Sequence, residues 1–232
     1  MGTPFFSILR LESNFPRPVG DSANLQTHSF PVRVSIVDRA NVDSVVYDGT
    51  QGLVTSFVQK AKEQIGQGAI AVGTSCGFLF EHQAKVQSQI EVPFISSSLT
   101  MLATNLAEPV AVLSFDGELL GRAAWFKNAC IGIEKILVGE IPKTGHLFSV
   151  IRKNQTKLNL KIAESEVVGS ALDLVQICIE RFGEPPRTLL LECTNLGVYK
   201  TAIQKALKDG RYECELIDYN DVMARCWTAL QK

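Results

Sequence analysis

Short apolar runs alternate with longer amphipathic stretches throughout the 232-residue chain. This alternation is typical of repeated βα units, whose helices cover a largely parallel sheet. The predicted strands are Phe6–Leu11, Val32–Val37, Ala69–Gly73, Val92–Ile95, Val110–Ser114, Ile136–Val138, Thr188–Leu191 and Cys214–Ile217. The predicted helices are Leu53–Ile65, Phe80–Gln89, Leu99–Leu106, Glu118–Asn128, Ser170–Phe182, Leu196–Lys208 and Asp221–Leu230. The sequence therefore predicts an α/β fold with mainly parallel sheets.

One predicted helix, Ser170–Phe182, also indicates which of its side chains are buried. Its large apolar residues recur at three- and four-residue steps and share one face: Leu172, Val175, Ile179 and Phe182. We expect this stripe to pack against the core.

The charge balance narrows the range of partners. The chain carries 23 Lys and Arg against 24 Asp and Glu, a formal net charge of -1. Such a balance provides no field suited to nucleic acid or to an anionic membrane surface, so neither is expected as a partner. No apolar stretch approaches the roughly 18 to 20 residues that a membrane helix needs. The first ten residues lack the basic region of a secretory signal, so we expect a soluble, cytoplasmic protein.

The spacing of cysteines and histidines argues against a metal site. No C-x-x-C pair occurs among the six cysteines, and the three histidines are scattered. The G-x-G-x-x-A pattern at Gly66–Ala71 precedes a predicted strand, whereas a dinucleotide-binding loop follows one. We therefore expect neither a metal nor a cofactor. Four cysteines are predicted to be structural: Cys130, Cys178, Cys214 and Cys226.

Two segments of the chain, Ala71–Leu79 and Thr188–Leu196, follow the same plan. Each is an apolar strand with a cysteine at its carboxyl end, followed by the pattern C-x-x-L that leads into a helix. The cysteines, Cys76 and Cys193, lie about half a chain length apart. This internal repeat predicts two βα halves related by pseudo-symmetry, each of which places one cysteine in a shared cleft.

The carboxyl ends of parallel strands are where α/β sheets bind ligands. A helix that begins there directs its free N–H groups at the site, which lowers a cysteine pKa from about 8.5 and suits a substrate carboxylate. Further candidates come from the long loop Glu12–Thr27, because loops of that length are usually functional or mobile. The candidate substrate-binding residues are Asn14, Thr74, Ser75, Gly77, Ser97, Ser98, Thr194 and Asn195.

Two thiols on opposite sides of one cleft match the chemistry of inversion at carbon. One group removes a proton from one face while the other delivers a proton to the opposite face. Such acid–base work needs both groups within reach of the same carbon and in opposite protonation states. Cys76 and Cys193 are therefore the predicted catalytic pair, one as thiolate and the other as thiol.

The two cysteine segments resemble those of the aspartate/glutamate racemase superfamily, which works without pyridoxal phosphate or metals. Thr74-Ser75-Cys76-Gly77 is similar to its first cysteine motif. Leu191-Glu192-Cys193-Thr194-Asn195 is similar to the second, usually Gly-Cys-Thr followed by a polar residue. The superfamily also includes hydantoin racemases, maleate isomerases and arylmalonate decarboxylases.

The resemblance implies two pseudo-symmetric α/β lobes with the active site in the cleft between them, and often a homodimer. On this basis residues 1–108 form the first lobe with Cys76, and residues 109–217 form the second with Cys193. Residues 218–232 are expected to return to the first lobe. Glu192 stands where the racemases often carry Gly, and strand alternation predicts that it points away from the cleft.

The predicted function is racemisation or epimerisation of a carbon next to a carboxylate or carbonyl in a small substrate, such as an amino acid. The segment Leu11–Asp21 lacks the Asp-Ser-Gly of glutamate racemases, so a different acid or a cyclic compound stays open as the substrate. Two alternatives also remain. One is a decarboxylase or cis–trans isomerase of a small dicarboxylate on the same fold, and the other is a non-catalytic protein that binds small acids.

Overall fold

The computed structural model of the protein describes residues 3–48 and 52–231. Within these ranges, eight strands form two parallel sheets of four strands each. The first sheet contains β1 (Phe5–Leu11), β2 (Val32–Val37), β3 (Ala69–Thr74) and β4 (Phe94–Ile95), in the order β2-β1-β3-β4. The second contains β5 (Val110–Ser114), β6 (Ile136–Glu140), β7 (Thr188–Leu191) and β8 (Glu215–Ile217), in the order β6-β5-β7-β8. The two orders are equivalent, so the predicted α/β fold with two similar lobes is confirmed.

Helices connect these strands and cover the sheets. The α-helices of the described ranges are α1 (Leu53–Gly66), α2 (Gln83–Gln87), α3 (Gly117–Arg122), α4 (Ala124–Ala129), α5 (His146–Arg152), α6 (Leu160–Phe182), α7 (Lys200–Asp209) and α8 (Tyr219–Leu230). Shorter 3-10 helices lie at Leu25–Thr27, Gly77–His82, Ser98–Ala103 and Thr194–Tyr199, and one turn of π-helix lies at Asp43–Tyr47. Both β3 and β7 are followed by a 3-10 helix and then an α-helix.

Some predicted helices differ from the observed ones. The predicted helix Glu118–Asn128 is interrupted at Ala123, whose backbone is extended, and so divides into α3 and α4. The predicted helix Leu99–Leu106 is a short 3-10 helix instead, which begins where Ser97 Oγ accepts a hydrogen bond from the backbone N–H of Leu99. The helix α5 was not predicted. Each of these segments is short, and a short helix shows too little periodicity to be recognised in a sequence.

The helix α6 begins ten residues earlier than predicted, and its buried face is wider than the predicted stripe: Val175 is fully buried, and Ile179 and Phe182 pack against the core from its edge. Asn159 caps it by accepting hydrogen bonds from two backbone N–H groups, and Gly183 ends it with a positive φ of 78°. The fully buried side chains are Ala163, Val167, Ala171, Leu174, Val175 and Cys178, whereas Leu172, Ile179 and Phe182 are only partly buried. Among the described residues, no helix combines the length and the apolar character that crossing a bilayer requires.

The two lobes share one hydrophobic core because strand alternation directs one face of each sheet toward the other lobe. On β1, Leu9 faces this shared core while Ile8 packs beneath helix α8. On β5, Val112 faces the shared core while Leu113 packs against α6 and α7. Both strands are buried on two faces, as parallel strands of α/β sheets usually are.

The last helix, α8, packs on the first sheet rather than the second. Its Tyr219 is 1% exposed and clusters with Phe6 and Ile8 of β1. The Tyr219 hydroxyl accepts a hydrogen bond from the backbone N–H of Thr74 at 2.9 Å. The predicted lobe boundary after residue 108 stays a prediction; in the structure the first sheet ends at Ile95 and the second begins at Val110.

Candidate active site

A small, partly open cavity lies between the lobes at the carboxyl ends of β1, β3, β5 and β7. Residues from both lobes and from the loop after β1 line it. This is the position that the strand directions predict for a ligand site. Its polar lining residues are Arg17, Ser75, Cys76, Gly77, Glu192, Cys193 and Asn195.

Cys76 stands at the turn from β3 into the following 3-10 helix. Thr74 Oγ1 holds this turn: it donates to the Ser96 carbonyl oxygen at 2.7 Å and accepts from the Cys76 backbone N–H at 3.4 Å. The backbone N–H groups of Phe78 and Leu79 point at the Cys76 sulfur, and they favour its thiolate. Thr74 therefore supports the cysteine and does not itself line the cavity.

Cys193 stands at the equivalent turn after β7, at the start of its 3-10 helix. Its thiol donates to Asn195 Oδ1 at 3.5 Å, and the Asn195 backbone N–H favours the thiolate. Asn195 Nδ2 donates in turn to the carboxylate of Asp21, which is 0% exposed. A buried polar chain thus links the second cysteine to the loop after β1.

The two thiols are close enough to influence each other, and both are held in the neutral form. Burial, and next the Glu192 carboxylate, raises the pKa of Cys76 to about 12. The same two causes, with a smaller one from Cys76, raise the pKa of Cys193 well above its ordinary value. The expectation that helix N-termini would lower these pKa values is therefore wrong: desolvation outweighs the few N–H groups of a short 3-10 turn.

Glu192 does not point away from the cleft, contrary to the prediction. Residues 190 and 192 share one face of β7, and Leu190 on that face packs in the core between the lobes. Glu192 is consequently 0% exposed and lines the cavity. Its Oε2 accepts a hydrogen bond from Ser114 Oγ at 2.7 Å. Its Oε1 lies against Gly77, where a Cβ atom would collide with it.

Two side-chain hydrogen bonds join the lobes directly. Thr194 Oγ1 donates to the Ser75 carbonyl oxygen at 2.8 Å, and Ser98 Oγ donates to the Leu191 carbonyl oxygen at 2.8 Å. Ser97 caps the 3-10 helix that carries Ser98. Thr194, Ser97 and Ser98 are buried and lie outside the cavity lining, where their hydrogen bonds support the two turns that carry the cysteines; their binding of substrate stays a prediction.

The loop after β1 reaches the cavity with different residues from the one predicted. Asn14 is exposed and its backbone N–H donates to Asn154 Oδ1, so it does not line the cavity. Phe15 and Arg17 do line it. Arg17 is buried and pairs with Asp21 at 3.0 Å, and its guanidinium lies 4.6 Å from the centre of the Phe15 ring.

Apolar side chains form the remaining wall of the cavity. They come from both lobes and from the π-helical turn: Leu11, Phe15, Val42, Val46, Phe78, Phe115 and Ile151. Sequence reasoning did not find them, because they come from five separate segments and their apolar character looks like that of core residues. A π-helical turn is itself often found at functional sites.

The described residues contain no cluster of three or more His, Cys, Asp or Glu in a metal-binding arrangement. All six cysteines lie in the described ranges as unpaired thiols. Cys178, predicted to be structural, is buried in the core beneath α6.

No protein-family model matches the sequence, and no curated protein matches it either. Several solved structures are similar. An unliganded arylmalonate decarboxylase has a TM-score of 0.60 and 16% identity, over 99% of this chain and 92% of its own. Allantoin racemase from Klebsiella pneumoniae has a TM-score of 0.58 and 13% identity, over 99% and 89%. A glutamate racemase isoform from Bacillus anthracis has a TM-score of 0.57 and 17% identity, over 97% and 81%.

At these identities the likeness is one of fold. It extends over nearly the whole chain and most of each neighbour. The neighbours include racemases and a decarboxylase, the types of enzyme that the two cysteine motifs predict. The chain therefore shares the fold of these racemases and of arylmalonate decarboxylase.

Proposed function

We propose that the protein is a cofactor-independent racemase or epimerase that inverts a carbon next to a carboxylate or carbonyl. The main support is the relation between Cys76 and Cys193, which follow equivalent strands of the two lobes and line one cavity. Inversion by this route requires two acid–base groups, one on each face of the same carbon. The racemase names of two fold neighbours agree with this chemistry.

In the proposed reaction the two sulfurs exchange roles. The thiolate of one cysteine takes the α-proton, so the carbon–hydrogen bond breaks and a sulfur–hydrogen bond forms. The electron pair passes into the adjacent carbonyl group and gives an enolate-like intermediate. The thiol of the other cysteine then delivers its proton to the opposite face, and the negative charge ends on that second sulfur. The reverse reaction uses the same groups in exchanged roles.

Arg17 is the residue that we propose to bind the substrate carboxylate. It lines the cavity, and its side chain is only 7% exposed. Its Nε is buried, and no described residue accepts a hydrogen bond from it. Arginine suits carboxylates because its guanidinium offers several N–H groups in one plane. The pair with Asp21 fixes the orientation of the guanidinium.

The apolar wall indicates what the rest of the substrate looks like. Phe15, Phe78 and Phe115 contribute aromatic rings to the lining of the cavity. A buried apolar wall favours an apolar substituent over a charged one, since an unpaired charge there would lose its hydration. We therefore propose a substrate with one carboxylate or carbonyl and one aryl or branched alkyl group. The predicted homodimer stays a prediction.

The same wall favours decarboxylation of a substituted malonate as the second candidate. Apolar surroundings destabilise a carboxylate that has no partner, and they promote its loss as carbon dioxide. One cysteine would then protonate the resulting carbanion, and the other would be dispensable.

A substrate panel distinguishes these functions. The full chain is incubated in D₂O with both enantiomers of phenylalanine, glutamate, aspartate, allantoin and 5-benzylhydantoin, and with phenylmalonate. We expect an aryl-bearing compound to lose its α-proton signal in NMR spectra. Cys76→Ser and Cys193→Ser should each slow this exchange by about 10² to 10⁴, the usual contribution of an acid–base group. Cys214→Ser, outside the cavity, is the matched control and should exchange at the unchanged rate.

Three other outcomes contradict the proposal. Unchanged inversion in either cavity variant would reject the two-cysteine scheme. Release of carbon dioxide from phenylmalonate without inversion of any compound would favour the decarboxylase. Thermal stabilisation by members of the panel without turnover would favour a binding protein.

A further inference from the structure

Glu192 is a buried carboxyl group placed between the two cysteine motifs. It precedes Cys193 in the sequence, and its Oε1 lies against Gly77, the residue that follows Cys76. It is 0% exposed and lines the cavity that holds both sulfurs. The side chain therefore stands next to both thiols at once.

Only Oε2 accepts a side-chain hydrogen bond from the described residues, and the backbone N–H of Phe115 also stabilises the carboxylate. Ser114 Oγ donates to Oε2 at 2.7 Å and anchors the group to the end of β5. Oε1 is buried, and the described residues offer it no hydrogen bond. Burial of an unpaired carboxylate oxygen is costly, so such an atom at a cavity usually has a functional reason.

The two-cysteine scheme needs a source of negative charge. Arg17 is the cation in the cavity lining, and it is already paired with Asp21. A buried thiol that ionises by itself creates a new charge in a low-dielectric site, which is unfavourable. A thiol that passes its proton to a carboxylate creates none, because one charge only moves from oxygen to sulfur.

We propose that Glu192 is the proton reservoir of the site: it takes the proton of either cysteine to form the thiolate and returns it between turnovers. This inference rests on the proposed two-cysteine function and goes beyond it. The carboxylate accepts the thiol proton, directly or through one water, so that a sulfur–hydrogen bond breaks and an oxygen–hydrogen bond forms. No further reactant is needed.

The same group resets the site after each inversion. Inversion leaves the proton of the substrate on the first sulfur and a thiolate on the second. Glu192 in its acid form protonates the second sulfur, and the resulting carboxylate then takes the proton from the first. Protons and charge are conserved, and the starting state returns; the S–H and O–H protons exchange with solvent between turnovers.

The electrostatics of the site agree with this role. Burial raises the pKa of Glu192 to about 7, so the group gains and loses a proton near neutral pH. Its ionised form raises the pKa of both thiols, so a thiolate forms more easily when Glu192 carries a proton. Two other charged groups act on the thiols: Arg17 on Cys76 and Asp21 on Cys193.

Alkylation of Cys76 by iodoacetamide tests the coupling without any substrate, because only the thiolate reacts. The full chain is labelled between pH 5 and 10, and the modified residue is identified by mass spectrometry. If Cys76 and Glu192 share one proton, the alkylation rate of Cys76 should rise up to about pH 7 and then level off. In Glu192→Gln the rate should rise about tenfold per pH unit throughout, as for an isolated thiol of high pKa.

Two further variants keep the test decisive. Glu140→Gln, at the end of β6 and outside the cavity, should retain the wild-type profile. Ser114→Ala leaves the carboxyl group of Glu192 but removes its hydrogen-bond donor, which raises the pKa of Glu192. The pH at which the alkylation rate levels off should therefore be higher. This variant also serves if Glu192→Gln does not fold.

Measurements of turnover distinguish two roles of Glu192: a group that carries protons for the reaction, or a group whose charge only suppresses ionisation of the thiols. On any substrate found in the panel, Glu192→Gln should lower kcat by about 10²-fold, although its thiols ionise more easily. Identical alkylation profiles in Glu192→Gln and wild type, or turnover by Glu192→Gln that equals or exceeds wild type, would overturn the inference. Loss of exchange in both cysteine variants would still support the proposed function in that case.

Discussion

Thr194 Oγ1 donates a hydrogen bond of 2.8 Å to the carbonyl oxygen of Ser75, and so joins the residue after one cysteine to the residue before the other. Both residues are buried. This bond crosses from the second lobe to the first at the edge of the cavity. It fixes the spacing of Cys76 and Cys193 more directly than any contact within a single lobe, since each partner is the sequence neighbour of a sulfur.

Thr194→Val should lower the free energy of unfolding by about 1 to 3 kcal/mol, because the Ser75 carbonyl then remains buried without its donor. Urea denaturation followed by circular dichroism measures this change. The matched control is Thr104→Val, an exposed threonine whose hydroxyl also bonds a backbone carbonyl, and it should change stability by less than about 0.5 kcal/mol. Equal effects of the two substitutions would show that the bond between the motifs has no special value.

Gly77→Ala should be strongly destabilising. The new Cβ would collide with Glu192 Oε1 and with the Glu192 carbonyl oxygen, and the backbone there cannot move without disturbing β7. We expect a loss of about 2 to 4 kcal/mol in unfolding free energy. Gly169→Ala in α6 is the control: nothing lies within 4 Å of its new Cβ, and alanine should stabilise the helix by up to about 1 kcal/mol. A neutral Gly77→Ala would mean that Glu192 does not pack against this turn.

Arg17→Met should destabilise the protein by about 3 kcal/mol, because the carboxylate of Asp21 is 0% exposed and would lose its cation. The double variant Arg17→Met with Asp21→Asn should recover part of this loss, as urea denaturation can show. Arg122→Met removes an exposed ion pair with Glu118 and should change stability by less than about 1 kcal/mol. No recovery in the double variant would argue that Arg17 acts through packing alone.

The raised pKa of Glu192 predicts a specific pH dependence of stability. Burial raises the pKa from its ordinary value of 4.5 to about 7, so between these values the folded state keeps a proton that the unfolded state has lost. Stability therefore falls as pH rises through this window, by up to about 3 kcal/mol, and the contribution of Glu192 is fully lost above it. Glu192→Gln should lack this loss.

Urea denaturation of both proteins at pH 5 and pH 8 checks the sign. The stability of Glu192→Gln relative to wild type should be higher at pH 8 than at pH 5. Parallel pH dependence in the two proteins would show that Glu192 titrates alike in the folded and unfolded states.

The fold was largely predictable because its strands are short runs of apolar residues buried on two faces. Val110–Ser114 and Thr188–Leu191 have the same bounds in the prediction and in the structure. The helices were harder, since segments such as Gly77–His82 are held as 3-10 turns by the strand before them rather than by their own periodicity. The buried face of α6 is wider than the predicted stripe because the helix packs against the second sheet and also against α5 and α7.

The candidate site was predictable only in part. Cys76 and Cys193 stood out because their segments repeat one pattern, and the structure brings both to the cavity. Arg17 lies in a loop without periodicity, so nothing in the sequence distinguished it from ordinary turn residues. Alternation along the strand places Glu192 and Cys193 on opposite faces, but the packing of the neighbouring lobe decides which face is buried. The sequence pattern therefore predicts the wrong side for Glu192.

The stereochemical course of deuterium entry tests the central claim most directly. The wild-type protein acts in D₂O on one enantiomer of the compound that the panel identifies, and both enantiomers are analysed by mass spectrometry at low conversion. Two thiols on opposite faces predict that the product carries deuterium at the inverted carbon from the start, while the remaining substrate keeps its original hydrogen. A product that retains the hydrogen of the substrate would mean that one group transfers the proton across both faces, and would contradict the account.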